Sequence, residues 1–188
     1  MSLPEKCLVD TNVPKIANLA IQPDSSFDVP NQCVMDCIEA IEHVIKKSVL
    51  IIDDGDEIYD EYRRLLSLRG EPGVGDGFMK WVHDHRSNPH NIQRVRITKN
   101  GNSYDEFPTH DGLKDFDNSD RKFVAVANAH ADKPPILQAS DSKWWGWKDA
   151  LEKIGINVQF LCTEYVKAKY VKKMGMVLPS VKTENQPR

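Results

Sequence analysis

The chain is short of cysteine, has no long apolar run and carries no strong excess of either charge, and each shortage removes a class of function. Its 188 residues include only four cysteines, Cys7, Cys33, Cys37 and Cys162. They lack the paired spacing of a zinc site with histidine partners. Three of them stand in apolar runs, so buried free thiols are expected. Cys33 and Cys37 could share a helix face at i, i+4 and hold a metal, but core packing is the preferred account of such a lone pair. Nothing in the chain resembles a bilayer-length apolar span, a signal peptide or a lipidation box. The expected compartment is therefore the cytoplasm, with no membrane partner.

What is present is ordinary globular material. Hydrophobic residues make up 40% and charged residues 28% of the sequence, enough for a self-sufficient core in one domain. That domain is expected over residues 1–175, and the polar stretch 176–188, with Pro179 and Pro187, is expected to be disordered. The formal net charge of −3 conceals a local asymmetry. Six of the nine residues from Asp53 to Glu61 are acidic, whereas the stretch 78–102 carries Lys80, Arg86, Arg94, Arg96 and Lys99 against one acid, Asp84. Lys167, Lys169, Lys172 and Lys173 form a second basic cluster. An anionic partner fits these runs, and so does a merely solvated face.

Apolar periodicity orders the elements. Cys7-Leu8-Val9 reads as a buried strand ending on Asp10, and residues 34–47 repeat apolar positions at helical spacing. The β-branched run 49–52 suits a parallel strand buried on both faces, ending on Asp53-Asp54-Gly55, with a helix over 56–68 after it. Residues 69–115, rich in Gly, Pro, Asn and His, read as an insertion holding a small helix at 78–83 and a strand at 94–98. A helix at 120–130, a strand at 136–139, a helix at 147–154 and a strand at 156–162 complete the pattern. Such alternation predicts a three-layer α/β/α domain with a mostly parallel sheet.

In an open parallel sheet, residues that terminate strands converge on one crevice. Here they are acids: Asp10 after the first strand, Asp53 and Asp54 after the second, Asp141 after the run 136–140, with Asp120 at the start of the helix before that run. Asp53 and Asp54, beside Gly55, are read first as turn residues. In the helix that follows, Ile58, Tyr59, Tyr62, Leu65 and Leu66 define an apolar stripe. Glu61 lies about 100° from its centre, whereas Glu57 and Asp60 lie about 140° and 160° away. Glu61 is thus the helical acid best placed to lean into a cleft. Clustered carboxylates repel one another unless a cation neutralises them, and an all-oxygen ligand set favours Mg²⁺ or Mn²⁺.

These residues resemble a known family. Cys7-Leu8-Val9-Asp10-Thr11-Asn12-Val13 is similar to the opening of PIN domains, Asp120-Arg121-Lys122-Phe123-Val124-Ala125-Val126-Ala127 looks like their third acidic motif, and Ser140-Asp141-Ser142 resembles their fourth. Glu61 matches the family's helical glutamate by its order along the chain. The resemblance covers roughly residues 5–68 and 115–163, and the long segment between Arg69 and Asp115 departs from it. It implies a Mg²⁺- or Mn²⁺-dependent endonuclease acting on RNA, with Asp10, Glu61, Asp120 and Asp141 as catalytic metal ligands. Such enzymes serve as toxins, in phage defence and in RNA processing, so an inhibitory antitoxin, a defence-system partner or a homodimer would be compatible.

Several residues have a second reading. Asp117 is a capping residue or a supplementary metal ligand, and Thr11, Asn12 and Ser140 either orient ligands or satisfy backbone at strand ends. Trp144, Trp145 and Trp147 are expected to pack rather than to stack on bases. The histidines of the insertion, His83, His85, His90 and His110, are expected to be structural. Lys80, Arg94, Arg96 and Lys99 are the candidate track for a phosphate backbone, or the charges of an ordinary edge strand. Two other functions compete: a PIN-like nucleic-acid-binding module without turnover, and a receiver-like signalling domain suggested by Val49-Leu50-Ile51-Ile52-Asp53-Asp54. The receiver pattern fails further on, because the stretch 100–105 is a turn where a strand-ending aspartate is needed.

Overall fold

Continuous β-branched runs require burial on both faces, and the chain meets that requirement by stacking its strands side by side between helices. A computed structural model describes residues 2–24, 28–69 and 73–175; the stretch 176–188, expected to be disordered, lies outside the described residues. The strands are β1 (Lys6–Val9), β2 (Val49–Asp53), β3 (Ile92–Val95), β4 (Lys99–Asn100), β5 (Ser103–Tyr104), β6 (Ile136–Gln138) and β7 (Val158–Phe160). Five form one all-parallel sheet in the order β3-β2-β1-β6-β7, and β4 and β5 form a separate antiparallel hairpin. The register sets Cys7 opposite Leu50, Leu50 opposite Ile92, Leu8 opposite Ile136 and Ile136 opposite Val158.

The helices are α1 (Asn12–Ala17), α2 (Asn31–Lys47), α3 (Glu57–Leu65), α4 (Val74–His85), α5 (Arg121–Ala129), α6 (Ser142–Lys153) and α7 (Thr163–Lys173). α1, α2 and α4 pack together, α3 packs on α5, and α6 packs on α7, so the sheet is flanked by helices as the expected three-layer α/β/α fold requires. Cys7, Leu8 and Val9 of β1 and Leu50, Ile51 and Ile52 of β2 are fully buried. From β1 the chain builds outward through β2 and β3, then returns to the other side of β1 for β6 and β7. The carboxyl ends of β1 and β6 therefore flank the topological switch point, where such sheets bind ligands.

The segment expected as an insertion at 69–115 is divided. Its first half belongs to the frame: α4 buries Phe78, Met79 and Val82 in the core, and β3 pairs with β2. The loop-like glycines there serve a close helix crossing, since a Cβ on Gly75 would stand 1.9 Å from the Pro14 carbonyl oxygen. Its second half, residues 96–115, is an excursion built on the β4–β5 hairpin. β3 ends before the expected strand at 94–98 because the chain turns off, Thr98 N–H donating to Glu106 Oε2 at 2.7 Å.

Two further departures concern the C-terminal half. α6 starts at Ser142, well before residue 147, with Asp141 as its cap. α7 has no apolar stripe to announce it, and Val166 is its one fully buried residue.

The cysteine expectation is corrected for two of the four. Cys33 and Cys162 form a disulfide across 129 residues of sequence, tying the first turn of α2 to the residue preceding α7, while Cys7 and Cys37 are buried free thiols. Spacing could not show a pairing made by packing two distant helix starts. Among the described residues, no helix is long and apolar enough to cross a membrane.

Candidate active site

Asp10 leaves the end of β1 with a residue exposure of only 3%. Its Oδ1 accepts the Asn12 N–H at 2.9 Å, and the strand end beneath it is fixed by the Tyr62 hydroxyl, which donates to the Val9 carbonyl. Burial, and then the negative charges of Asp120, Glu61 and Asp141, push the Asp10 carboxyl well above the usual carboxylate range. Four acids from four elements thus lie close enough to act on one another electrostatically.

Glu61 reaches this site from α3, whose buried stripe comprises Ile58, Tyr59, Tyr62 and Leu66; Leu65, expected in it, is 42% exposed. The Glu61 side chain is 13% exposed, whereas Asp60 faces solvent. Glu61 Oε1 accepts from Thr11 Oγ1 at 2.5 Å, and Oε2 pairs with Lys122 Nζ at 2.5 Å. Asp120 precedes α5 and accepts from Trp144 Nε1 at 3.0 Å and Ser119 Oγ at 3.1 Å. Burial raises its pKa to about 6. Asp141 caps α6, its Oδ1 accepting the Lys143 N–H at 2.9 Å.

The supporting residues sort less evenly. Asn12 and Ser140 line a cavity of about 230 Å³ with Asp141, Tyr165 and Lys169. Asp117 is bound to Lys143 Nζ and Ser119 Oγ, both at 2.9 Å, and these bonds hold its carboxyl below the usual range. It is a tied outer residue. Asp53 has both oxygens taken by the α3 N–H groups of Glu57 and Ile58, each at 2.8 Å, so it is a buried cap and not an accessible phospho-acceptor. Burial raises its pKa too.

Three of the four side chains of the candidate phosphate track are ion-paired. Lys80 pairs with Asp84 within α4 at 2.8 Å. Arg94 is taken up by Asp56 Oδ1 at 2.5 Å and the Asp54 carbonyl at 2.7 Å, which fixes the left-handed Asp56 backbone at the start of α3. Arg96 is exposed beyond the end of β3. Only Lys99 lines a cavity that Glu61 also lines. Arg94's partner lies on the neighbouring strand's outgoing turn, 38 residues away, so the local sequence carries no sign of that pairing.

Trp144 is fully buried, with Phe116 edge-on to it at 5.1 Å, and Trp147 packs on the same ring at 4.5 Å. His83 and His85 bond to Tyr59 Oη and the Trp81 carbonyl, and His110 accepts from the Gly112 N–H.

The residue that sequence reasoning missed is Lys122. It is 6% exposed and donates to the Ser119 carbonyl as well as pairing with Glu61. A signal was present: Phe123 to Ala127 are five consecutive apolar residues, all fully buried. A helix apolar all round lies inside the protein, and a lysine in its first turn then needs a counter-ion.

The tightest grouping of potential metal ligands among the described residues is not the acids. The sulfurs of Cys33, Cys37 and Cys162 all lie within 4.8 Å of one another, and two of them are joined. The carboxylates stand further apart, with Lys122 holding Glu61. Burial raises the pKa of two of them, Asp10 and Asp120. Comparison with models of known families, with curated proteins and with solved structures finds no match to this chain.

Proposed function

We propose that the chain is a metal-dependent endonuclease of the PIN-like type, hydrolysing phosphodiester bonds in RNA. The observation that carries this reading is the grouping of Asp10, Glu61, Asp120 and Asp141 around the sheet's switch point, with Asp10 driven towards protonation first by burial and then by the charges of the other three. The donor set fits Mg²⁺ or Mn²⁺: every donor is a carboxylate oxygen, and Asp10 Oδ2 and Asp141 Oδ2 accept no hydrogen bond from the described residues. Such an ion, when bound, would polarise the scissile phosphate and make a water nucleophilic.

The chain's own groups supply positioning. The Asn12 N–H orients Asp10, the Trp144 indole orients Asp120, and the N-terminus of α6 orients Asp141. Lys122 neutralises Glu61; were Glu61 to hold a metal instead, the ammonium would be free to meet a phosphate oxygen. Thr11 holds the other Glu61 oxygen through its hydroxyl.

The test is cleavage of labelled RNA by purified wild type and Asp10→Asn in EDTA, Mg²⁺ and Mn²⁺. Wild type should cut only with metal, and the folded variant should not cut, because an amide is a poor ligand for a hard cation. Wild-type turnover by Asp10→Asn removes the assignment. The Lys122–Glu61 pair favours one second reading, a nucleic-acid-binding module without turnover, in which the lysine permanently replaces the metal. Metal-independent RNA binding with no cleavage in Mn²⁺ would select it.

A further inference from the structure

A second cavity, of about 320 Å³, opens beside the acids and shares Glu61, Ser119 and Lys122 with them. One wall is α3, through Arg64, and the facing wall is the β4–β5 hairpin with Lys99, Asn102 and Tyr104. The hairpin turns at Gly101, whose φ of +58° lies in the left-handed region. Its base is pinned: Asp105 N–H bonds the Thr98 carbonyl at 2.9 Å, Asn128 Nδ2 bonds the Glu106 carbonyl at 2.9 Å, and Phe107 packs on Phe116 at 5.6 Å. The wall is thus preformed.

The charges of the cavity leave a net cation. Lys99 pairs with Glu57 at 2.8 Å and Lys122 with Glu61 at 2.5 Å, which balances two acids against two bases. Arg64 remains, with no ion-pair or hydrogen-bond partner among the described residues. The Asn102 and Asn118 carboxamides also line the cavity and make no side-chain hydrogen bond among the described residues. A guanidinium is suited to phosphate oxygens, a carboxamide to the edge of a base, and a tyrosine ring to its face.

Building on the nuclease reading, we propose that this cavity is a subsite for one unpaired nucleotide of the RNA strand, next to the bond that is cut. Arg64 takes the phosphate, and the hairpin side chains face the base. A cleft flanked by α3 and the hairpin can receive a splayed-out nucleotide, whose base edge and face a paired, stacked one would not present.

The experiment is a fluorescence-anisotropy titration of a labelled oligouridine, and of an RNA duplex of equal length, with the full chain in EDTA. Wild type should bind the single strand more tightly than the duplex. Arg64→Ala should weaken single-strand binding about tenfold, the loss expected for one charge-assisted phosphate contact. It should also lower the salt slope by about 0.7, the share of one phosphate. Arg63→Ala, an exposed neighbour that does not line the cavity, should bind as wild type. Equal losses from the two arginine variants, no loss from Arg64→Ala, or a duplex bound as tightly as the single strand would overturn the subsite. The two readings fail separately: metal-dependent cutting with Arg64→Ala binding as wild type removes only the subsite. Arg64-dependent binding with no cutting in Mn²⁺ removes only the nuclease.

Discussion

Replacing Lys122 with methionine keeps the apolar stem and removes the ammonium that holds Glu61. The side chains of the pair are 8% and 13% exposed and meet at 2.5 Å, so solvent screens them little. Breaking one partner of a buried pair costs about 3–5 kcal/mol, because the other charge is left uncompensated. The lower end applies here, since Glu61 retains the Thr11 hydroxyl. About 3 kcal/mol in a chain of this size lowers Tm by about 6–12 °C. The double variant Lys122→Met/Glu61→Gln should recover most of the loss, because removing both charges is close to neutral. Mn²⁺ at a hundred times its dissociation constant contributes about 2.7 kcal/mol by mass action and should restore most of the single variant's stability. The assay is thermal unfolding of the three proteins in EDTA and in Mn²⁺. A single variant that melts within about 2 °C of wild type in EDTA, or one that Mn²⁺ does not rescue, refutes the exchange between lysine and metal at Glu61.

Three other outcomes can be checked independently. Asp120 has its folded pKa raised to about 6, so the folded state binds the extra proton and the stability it gives is lost as pH rises through that value. In EDTA, wild-type Tm minus that of Asp120→Asn should therefore fall between about pH 5 and pH 7.5, and a rising difference contradicts the burial argument. Because Glu61 sits inside and Glu57 pairs with Lys99 at the rim, Glu61→Gln should reduce metal-dependent cleavage far more than Glu57→Gln in parallel rate measurements. The reverse order would show that the α3 face has been misassigned. Thiol titration of the denatured, unreduced protein should find two reactive cysteines, rising to four after reduction. Four from the outset would show that Cys33 and Cys162 are not joined.

Much of the frame could be read from pattern alone. β1 and β2 are continuous apolar runs whose burial on both faces leaves no alternative environment, and the acids that end β1 and β6 follow from that placement. Glu61 was legible from helical geometry, because three residues of the Ile58, Tyr59, Tyr62 and Leu66 stripe fix the rotation of α3 even with Leu65 turned outward. What stayed hidden depends on contacts between distant segments. Gly73 and Gly75 looked like loop residues because nothing local shows that α1 passes within touching distance of them. The burial of Lys122 and the engagement of Arg94 depend on Glu61 and Asp56, which only the fold brings against them. The Cys33–Cys162 pairing and α7 were hidden for the same reason.

The strand order has a consequence for the timing of synthesis. β1 is made first, yet its inner neighbour β6 emerges almost last, and Asp10 waits for Asp120 and Asp141 before the site exists. At the usual ~5–20 residues per second, the ribosome holds an incomplete sheet for several seconds. The full set of acids exists only once residue 141 has been made, so no shorter N-terminal fragment can assemble the site. The far-apart pairing of β1 with β6 thus makes assembly of the acid cluster a late event in synthesis.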